Sequence, residues 1–300
     1  MSSSASQVTL GIDTRLVMII SSSLFCAVLF WATWIHASKK LEFFHSKFTP
    51  GERADWCSRT ASQFHSAFIV VAVGGTLPFY SWNEAFQTSH NLDLVHGSLC
   101  FSLGYFLYDL TLVLISRMDL WPLYVAHHCA ASTPLIAVLF MGCEKYSFLI
   151  AAFFLVEVTT VSVNFSYWLE AFDMQYKKRY RFSVHFSFWA WIVFRIVMPV
   201  YLLYLMIDRL LLDGTQWVDA SHVLKAKDTK EWGCAAVCST CALMIIAYCN
   251  LVFFTSMVPS YAKRLRRRYQ LIKTKIKDVR DKHREKKERQ RQEKLVEKAR

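Results

Sequence analysis

The sequence has little charge outside its last forty residues and lacks the regular alternation of polar and apolar positions that marks amphipathic elements. Residues 1–260 hold 17 Lys+Arg and 17 Asp+Glu, whereas residues 261–300 hold 18 and 6. The formal net charge of +12 therefore belongs entirely to the C-terminal tail. Such a balance excludes a broad basic nucleic-acid-binding face from the body of the chain. Internal repeats and low-complexity segments are also lacking.

Hydrophobic residues make up 54% of the 300 and gather in runs of about twenty, the length that crosses a hydrocarbon core. We predict an all-α fold, a multi-pass bundle of about seven membrane-spanning helices around a polar-lined cavity. The predicted spans are residues 16–36, 60–81, 93–116, 121–141, 146–170, 182–208 and 232–258. The first run lacks a basic leader and a small-residue cleavage pattern, which favours a retained helix over a cleaved signal.

Lysine and arginine in the connections indicate the orientation of the bundle. The connection after the first span has five of them, the one after the second has none, and the one after the fifth has four. Four more in residues 209–231 oppose this trend. We predict a lumenal or extracellular N-terminal segment (1–15), a first span with a basic cytosolic loop (16–55), a membrane domain (56–258) and a cytosolic tail (259–300).

The nine cysteines predict no disulfide framework, since most lie within predicted spans. Cys234, Cys238 and Cys241 share one helical face, but the sequence offers them no partner ligands at the same depth. Small packing residues on a membrane helix are the favoured interpretation. We expect no metal site and no cofactor.

Ionisable side chains inside predicted spans are the candidates for function, because each costs about 2.5–3.5 kcal/mol near the bilayer centre. The ionisable and amide residues in the spans are His65, Asp109, His127, His128, Glu157, Arg195, Asn164 and Asn250. At 1.5 Å per residue, all except Glu157 and Arg195 lie about 8–12 Å below the cytosolic surface. Glu157 and Arg195 lie deeper, and mutual neutralisation is the simpler interpretation of this pair.

Helical spacing places these residues on polar stripes. The stripes are Ser102, Tyr105 and Asp109 on the third span, and Glu157, Thr160 and Asn164 on the fifth. Pro134 and Pro199 each remove a backbone donor beside them, which membrane helices tolerate where neighbours or enclosed water satisfy the backbone. The pattern predicts a cavity that opens toward the cytosol, with His65, Tyr105, Glu157, Asn164, Arg195 and Asn250 as its candidate polar lining.

The adjacent histidines point about 100° apart on a helix, so His127 and His128 cannot face one small target in the same way. A neutral imidazole can take a proton from an amine or hydroxyl as it attacks an acyl group, and Asp109 could fix the tautomer. Serine-nucleophile, catalytic-cysteine and His-x-x-x-His patterns are missing. The alternative stays open that these residues only bond helices together, and for His65 such a bond is favoured.

Five segments, in chain order, carry a family resemblance. They are WCSRTASQFHSAF, YFLYDLTLVL, AHHCAAS, FFLVEVTTVSVNF and FWAWIVFRIVMPVY. Together they resemble the TLC-domain family across residues 56–258. That family includes the ceramide synthases, the translocating-chain-associated membrane protein and several small lipid-homeostasis proteins.

The resemblance implies a bundle around a lipid-sized cavity, usually in the endoplasmic reticulum membrane. In the ceramide synthases, the pair that corresponds to His127 and His128 belongs to the acyl-transfer site, which implies acyl-CoA as a substrate. The His-Asp element that follows the pair in those enzymes is missing, since residues 135–170 contain no histidine. Glu157 instead stands in the Glu-x-x-Thr setting of the smaller members, which this chain resembles most.

Two functions follow from these observations. One is membrane lipid homeostasis by acyl transfer to a lipid amine or hydroxyl, with His127 or His128 as the base and Asp109 as its partner. The other is non-enzymatic lipid binding, sensing or trafficking in the same cavity. A receptor is disfavoured because Asp-Arg-Tyr after the third span and Asn-Pro-x-x-Tyr in the seventh are missing.

Membrane lipids are the expected partners, and a second copy of the chain stays an open alternative. The helix-forming basic tail either binds anionic headgroups, at about 1 kcal/mol per near-surface charge, or only fixes the topology. No nucleic-acid partner is expected for a juxtamembrane tail without interleaved aromatic residues.

Overall fold

The computed structural model describes residues 11–76, 92–118, 120–207 and 229–266, together with helical residues 269–270, 273–274, 277 and 280. Regular secondary structure in these residues is helical throughout, which confirms the predicted all-α class. The chain divides into two compact units, Met1–Asn250 and Leu251–Arg300, and each is described by itself.

Ten α-helices are described in chain order. They are α1 (Ile12–Lys40), α2 (Glu42–Ser46), α3 (Pro50–Thr76), α4 (Leu92–Ser116), α5 (Trp121–Phe140), α6 (Ser147–Phe153), α7 (Glu157–Ala171), α8 (Lys178–Trp191), α9 (Met198–Leu205) and α10 (Thr229–Val252). Short 3₁₀ segments, Glu144–Tyr146 and Phe154–Val156, precede α6 and α7. A π-helical segment, Ile192–Val197, joins α8 to α9, and another, Phe253–Met257, follows α10.

Six helices of the described residues are long and apolar enough to cross a membrane. They are Ile12–Lys40, Asp93–Ser116, Trp121–Phe140, Ser147–Ala171, Lys178–Leu205 and Trp232–Arg266. The remaining predicted span, 60–81, coincides with α3 as far as Thr76, and residues 77–81 lie outside the described residues. Polar residues lower the hydropathy of α3, but its His65 and Ser66 are fully buried against other helices. A multi-pass helical membrane bundle is therefore confirmed.

The start of α3 is fixed by reciprocal hydrogen bonds between the first turn and the residue before it. The Thr49 backbone N–H donates to the Glu52 carboxylate at 2.8 Å, and the Glu52 N–H donates to the Thr49 hydroxyl at 3.3 Å. This is a capping box, with Pro50 at the first helical position. The bond from Thr49 lowers the pKa of Glu52 below its ordinary value of 4.5. The box sets where the helix that carries His65 begins.

Helix α1 packs closely against α4 around Gly104. A Cβ added at Gly104 would collide with the Ile19 carbonyl oxygen and would lie 2.6 Å from the Ser22 Cβ. The hydroxyls of Ser22 and Ser23 donate to the carbonyls of Phe101 and Gly104, each at 2.7 Å. Small residues that allow close backbone approach, with hydroxyls that bond across, are typical of membrane helix pairs.

A short connection between Ser116, the end of α4, and Trp121, the start of α5, reverses the chain, and residues 117, 118 and 120 of it are described. Arg117 and Leu120 both adopt left-handed backbone conformations, with φ of 45° and 60°. Asp109 lies eight residues before Arg117, and His128 lies eight residues after Leu120. At 1.5 Å per helical residue, both lie about 12 Å from the turn. The tight hairpin therefore brings an acidic and a basic side chain to the same height on neighbouring helices.

A disulfide joins Cys143, just after α5, to Cys234 near the start of α10. The expectation that the cysteines form no disulfide framework was therefore wrong in this respect. Both cysteines lie at span ends that the sequence predicts to be lumenal, and disulfides persist in the oxidising lumen rather than in the cytosol. The bond links two cysteines that are 91 residues apart in sequence.

Candidate functional site

The hairpin between α4 and α5 brings together two of the predicted catalytic residues. The Asp109 carboxylate oxygen Oδ2 lies 2.9 Å from Nε2 of His128, and both side chains are largely buried. The other ring nitrogen of His128, Nδ1, is buried without a hydrogen-bond partner in the described structure. A carboxylate beside one ring nitrogen fixes the orientation and the tautomer of an imidazole.

His65 of α3 contacts two residues of the polar stripe of α4. Its Nε2 lies 3.1 Å from the Ser102 hydroxyl, and its ring stacks on Tyr105 with centroids 4.1 Å apart and planes 13° apart. His65 is fully buried and Tyr105 nearly so. Both residues thus join α3 to α4, and neither is among the residues that line the cavity described below.

The two asparagines lie in different settings. Asn164 donates its amide to the Ser62 hydroxyl at 3.1 Å and accepts from Arg59 at 3.1 Å, so it joins α7 to α3. Asn250 instead donates to the Ile246 carbonyl of its own helix at 2.8 Å. Asn164 therefore bonds across helices, whereas the hydrogen bond of Asn250 stays within α10, and neither is among the residues that line the cavity described below.

A mostly apolar cavity lies within the first unit. Its wall includes Phe106, Pro134, Phe153, Phe154, Ala242 and Ile245. Besides the thiol of Cys238, three ionisable side chains line it: His127 from α5, Glu157 from the start of α7 and Arg195 from the π-helical segment. A concave site that is mostly apolar and has a few convergent polar groups is typical of small-molecule sites. The cavity is the strongest candidate for a ligand site among the described residues.

Glu157 and Arg195 do not form an ion pair, which contradicts the expectation that they neutralise each other. The Ser66 hydroxyl donates to the Glu157 carboxylate at 2.6 Å. Arg195 donates to the hydroxyls of Thr159 and Thr160 at 2.5 and 2.8 Å. The expectation rested only on the similar depth of the two residues in the membrane. The rotation of each helix about its own axis directs the two side chains to different hydroxyl groups.

Pro199 explains the unusual backbone that carries Arg195. A proline in a helix removes the donor for the carbonyl four residues earlier, and here that carbonyl belongs to Arg195. The helix responds with wider, five-residue hydrogen bonds over Ile192–Val197, including Met198 N–H to Val193 carbonyl. Such π-helical segments change the direction of side chains and are frequent at functional sites. In this protein the segment places a guanidinium on the cavity wall.

His127 faces the cavity, whereas His128 faces Asp109, as their 100° separation on α5 requires. The His127 ring stacks on Tyr248 with centroids 4.7 Å apart, and its centroid lies 5.4 Å from that of His128. Its Nδ1 is buried without a hydrogen-bond partner in the described structure. His127 is therefore the histidine of the pair that a ligand in the cavity would meet.

Hydroxyl groups that sequence patterns did not single out hold several of the predicted site residues in place. Ser62, Ser66 and Thr159 had no assigned role, yet each bonds a predicted site residue. Helical spacing gives a partial signal, because Ser62 and Ser66 lie on one face of α3 at a spacing of four. Within the described part of the chain, no three histidine, cysteine, aspartate or glutamate side chains are grouped to hold a metal ion.

The fold and the cavity define a multi-pass integral membrane protein with an apolar internal site. The family model described as TLC domain matches residues 55–259, which is more than half of the chain. The chain belongs to the TLC-domain family, and the resemblance carried by the five sequence segments is confirmed. Comparison with curated proteins and comparison with solved structures gave no match.

Proposed function

We propose that this protein acts in membrane lipid homeostasis by transferring an acyl group to the amine or hydroxyl of a lipid bound in the cavity. The observation that carries the proposal is the position of His127, an imidazole on the wall of a mostly apolar cavity. Such a wall accepts acyl chains, and the imidazole supplies a base where the chains meet polar groups.

The reaction needs an acyl thioester, and acyl-CoA is the donor of this class. The neutral imidazole of His127 takes the proton of the acceptor amine or hydroxyl as the nitrogen or oxygen attacks the thioester carbonyl. The new amide or ester bond forms while the carbon–sulfur bond breaks, and the thiolate leaves with a proton returned by the imidazolium. One group thus serves as base and then as acid.

His128 and Asp109 act as positioning residues in this mechanism. Their contact of 2.9 Å fixes the His128 ring, and neither residue lines the cavity. Because His127 is next to His128 on α5, a fixed His128 restrains the backbone and the ring that face the cavity. Loss of Asp109 is therefore expected to act through the geometry of α5.

Lipid binding without chemistry is the second candidate function. It is favoured by the fact that Asp109 contacts His128 and not His127, so the imidazole on the cavity wall has no carboxylate to orient it. A lipid sensor or carrier needs the cavity but does not need proton transfer at His127. The two functions therefore differ in how they respond to removal of this imidazole.

The membrane expected for this function is the endoplasmic reticulum, with the C-terminal tail in the cytosol. The disulfide between Cys143 and Cys234 supports this orientation, since both cysteines lie at span ends that would face the oxidising lumen. The basic tail then lies on the side where anionic headgroups attract lysine and arginine.

The test is a lipid profile of cells that lack the protein, rescued with wild type, His127→Asn or His128→Asn at matched membrane abundance. Acyl transfer predicts that one lipid class shifts on loss and that His127→Asn fails to restore it. Cys129→Ser is the matched control, because Cys129 lies on α5 and is exposed. Full restoration by His127→Asn would exclude acyl transfer and favour lipid binding alone.

A further inference from the structure

Arg195 is a buried cation whose described contacts are neutral. Its side chain donates to two threonine hydroxyls and to the Cys249 sulfur at 3.8 Å, and its guanidinium carbon lies 4.6 Å from the Trp191 ring centroid. No carboxylate of the described residues forms an ion pair with it. A buried charge without a counter-ion is costly, and an arginine inside a membrane span indicates a ligand or a partner.

Glu157 provides the opposite charge on the same cavity. Its described hydrogen bond comes from the Ser66 hydroxyl, and none of the described cations forms an ion pair with it. Both residues are 9% exposed and both line the cavity. The protein therefore places an acidic and a basic side chain on one mostly apolar cavity, and each side chain is hydrogen-bonded to hydroxyl groups.

A ligand that carries both charges complements this arrangement. We propose that the cavity binds the zwitterionic headgroup of an aminophospholipid, with its phosphate on Arg195 and its ammonium on Glu157. The planar fork of a guanidinium matches the oxygens of a phosphate, and a carboxylate accepts the N–H donors of an ammonium group. This inference rests on the proposed function, because it names the lipid class for the same cavity.

The apolar part of the wall lies beside the two charged side chains. Phe106, Phe153 and Ile245 supply surface for an acyl chain. A lipid without the ammonium leaves Glu157 uncompensated, whereas one without the phosphate leaves Arg195 uncompensated. Because each omission strands a buried charge, the site discriminates among lipids with the same chains.

The experiment measures lipid retention by the purified full-length protein in detergent, using native mass spectrometry and lipids with identical dioleoyl chains. The dioleoyl probes are phosphatidylethanolamine, phosphatidic acid and diacylglycerol. Sphingosine, which has a single chain, is added as an amine without phosphate. We expect phosphatidylethanolamine to bind at least about tenfold more tightly than each of the others. Equal binding of phosphatidylethanolamine and diacylglycerol by the wild type would overturn the proposal without any variant.

Two substitutions test whether Arg195 binds the phosphate and Glu157 binds the ammonium. Arg195→Gln is expected to weaken phosphatidylethanolamine and phosphatidic acid alike, whereas Glu157→Gln removes the advantage of phosphatidylethanolamine over phosphatidic acid. The matched controls are Arg181→Gln and Glu42→Gln, which change exposed residues and should leave retention unchanged. Thermal unfolding of each variant checks that it is folded. A folded Arg195→Gln protein that still prefers phosphatidylethanolamine would contradict the assignment.

Failure of this inference can be told apart from failure of acyl transfer. His127→Asn removes the proposed base but neither charge. Total retention can therefore fall, but we expect the preference for phosphatidylethanolamine over phosphatidic acid to persist. Selective retention together with full lipid rescue by His127→Asn would leave the headgroup site standing and exclude the reaction. Unselective retention by the wild type, together with failed lipid rescue by His127→Asn, would leave the reaction standing and exclude the headgroup site.

Discussion

The Oδ2 atom of Asp109 lies 2.9 Å from Nε2 of His128, in a contact that joins α4 to α5 close to a four-residue turn. Both side chains are largely buried, and both lie outside the cavity wall. The contact therefore belongs to the frame of the site, and its effects should be seen in stability as well as in activity.

We expect Asp109→Ala to destabilise the protein by about 1–3 kcal/mol, because it leaves Nε2 of a buried imidazole without a partner. Asp109→Asn keeps the shape and a hydrogen-bonding oxygen, so its loss should be smaller. Thermal unfolding in detergent, with His128→Ala and the double variant, gives the coupling energy. Asp93→Asn, at an exposed position on α4, is the control. Additive effects of Asp109→Ala and His128→Ala would show that the contact contributes nothing.

In the ligand-free protein, we expect the contact between Ser66 and Glu157 to contribute more to the free energy of unfolding than any interaction between Glu157 and Arg195. The Ser66 bond to the carboxylate is 2.6 Å long, and hydrogen bonds to charged groups contribute about 1.5–3 kcal/mol. A double-mutant cycle of Ser66→Ala with Glu157→Gln should show clear coupling in unfolding experiments. The cycle of Glu157→Gln with Arg195→Gln, measured after delipidation, should show weaker coupling. The reverse order would indicate a direct ion pair.

Gly104→Val should disrupt the packing of α1 against α4. The added side chain meets the Ile19 carbonyl, which is backbone and cannot move aside cheaply. Overpacking of this kind costs about 1–3 kcal/mol or more. Gly233→Ala is the control, because a Cβ at Gly233 has nothing within 4 Å. Unfolding temperatures of the two variants give the comparison, and an unchanged temperature for Gly104→Val would argue against the close contact.

The disulfide gives a test that does not depend on function. A protease site placed in the exposed turn at residues 173–177 cuts the chain between Cys143 and Cys234. The two fragments should migrate together on a non-reducing gel and separate after reduction. With Cys143→Ser they should separate in both conditions. Fragments of the wild-type sequence that separate without reductant would show that the two sulfurs are not bonded.

Orientation can be measured with single cysteines read by a membrane-impermeant maleimide in sealed microsomes. Arg280→Cys should react at once if the tail is cytosolic, whereas Thr88→Cys should react only after the membrane is opened. The unsubstituted chain sets the background from its own thiols. Reaction of Thr88→Cys in sealed vesicles would reverse the orientation and would place Cys143 and Cys234 on the reducing side.

The sequence predicted the spans well because a run of about twenty apolar residues is a local property. It also placed Asp109 and His128 at one height, since a tight turn leaves little freedom between the helices that it joins. Depth could not predict how each helix is turned about its axis. Asn250 therefore bonds its own helix, and Glu157 and Arg195 find different partners.

Sequence patterns could not predict the disulfide or the serine contacts, for a different reason. Cys143 and Cys234 are 91 residues apart, and nothing in their spacing distinguishes them from the seven free cysteines. Hydroxyl groups on membrane helices have two uses that look alike in sequence. Thr111 donates to the carbonyl of Leu107 in its own helix, whereas Ser66 donates across the bundle to Glu157.

The close contact between α1 and α4 at Gly104 shows that α1 packs as part of the domain that follows it. The TLC match begins at residue 55, yet α1 lies before it and is locked to α4 through Ile19, Ser22 and Ser23. The family boundary is thus a boundary of shared sequence and not of a folding unit. A fragment cut at residue 55 would present to lipid the small residues and carbonyls that α1 now covers, so the first helix has to be kept with the domain that it precedes.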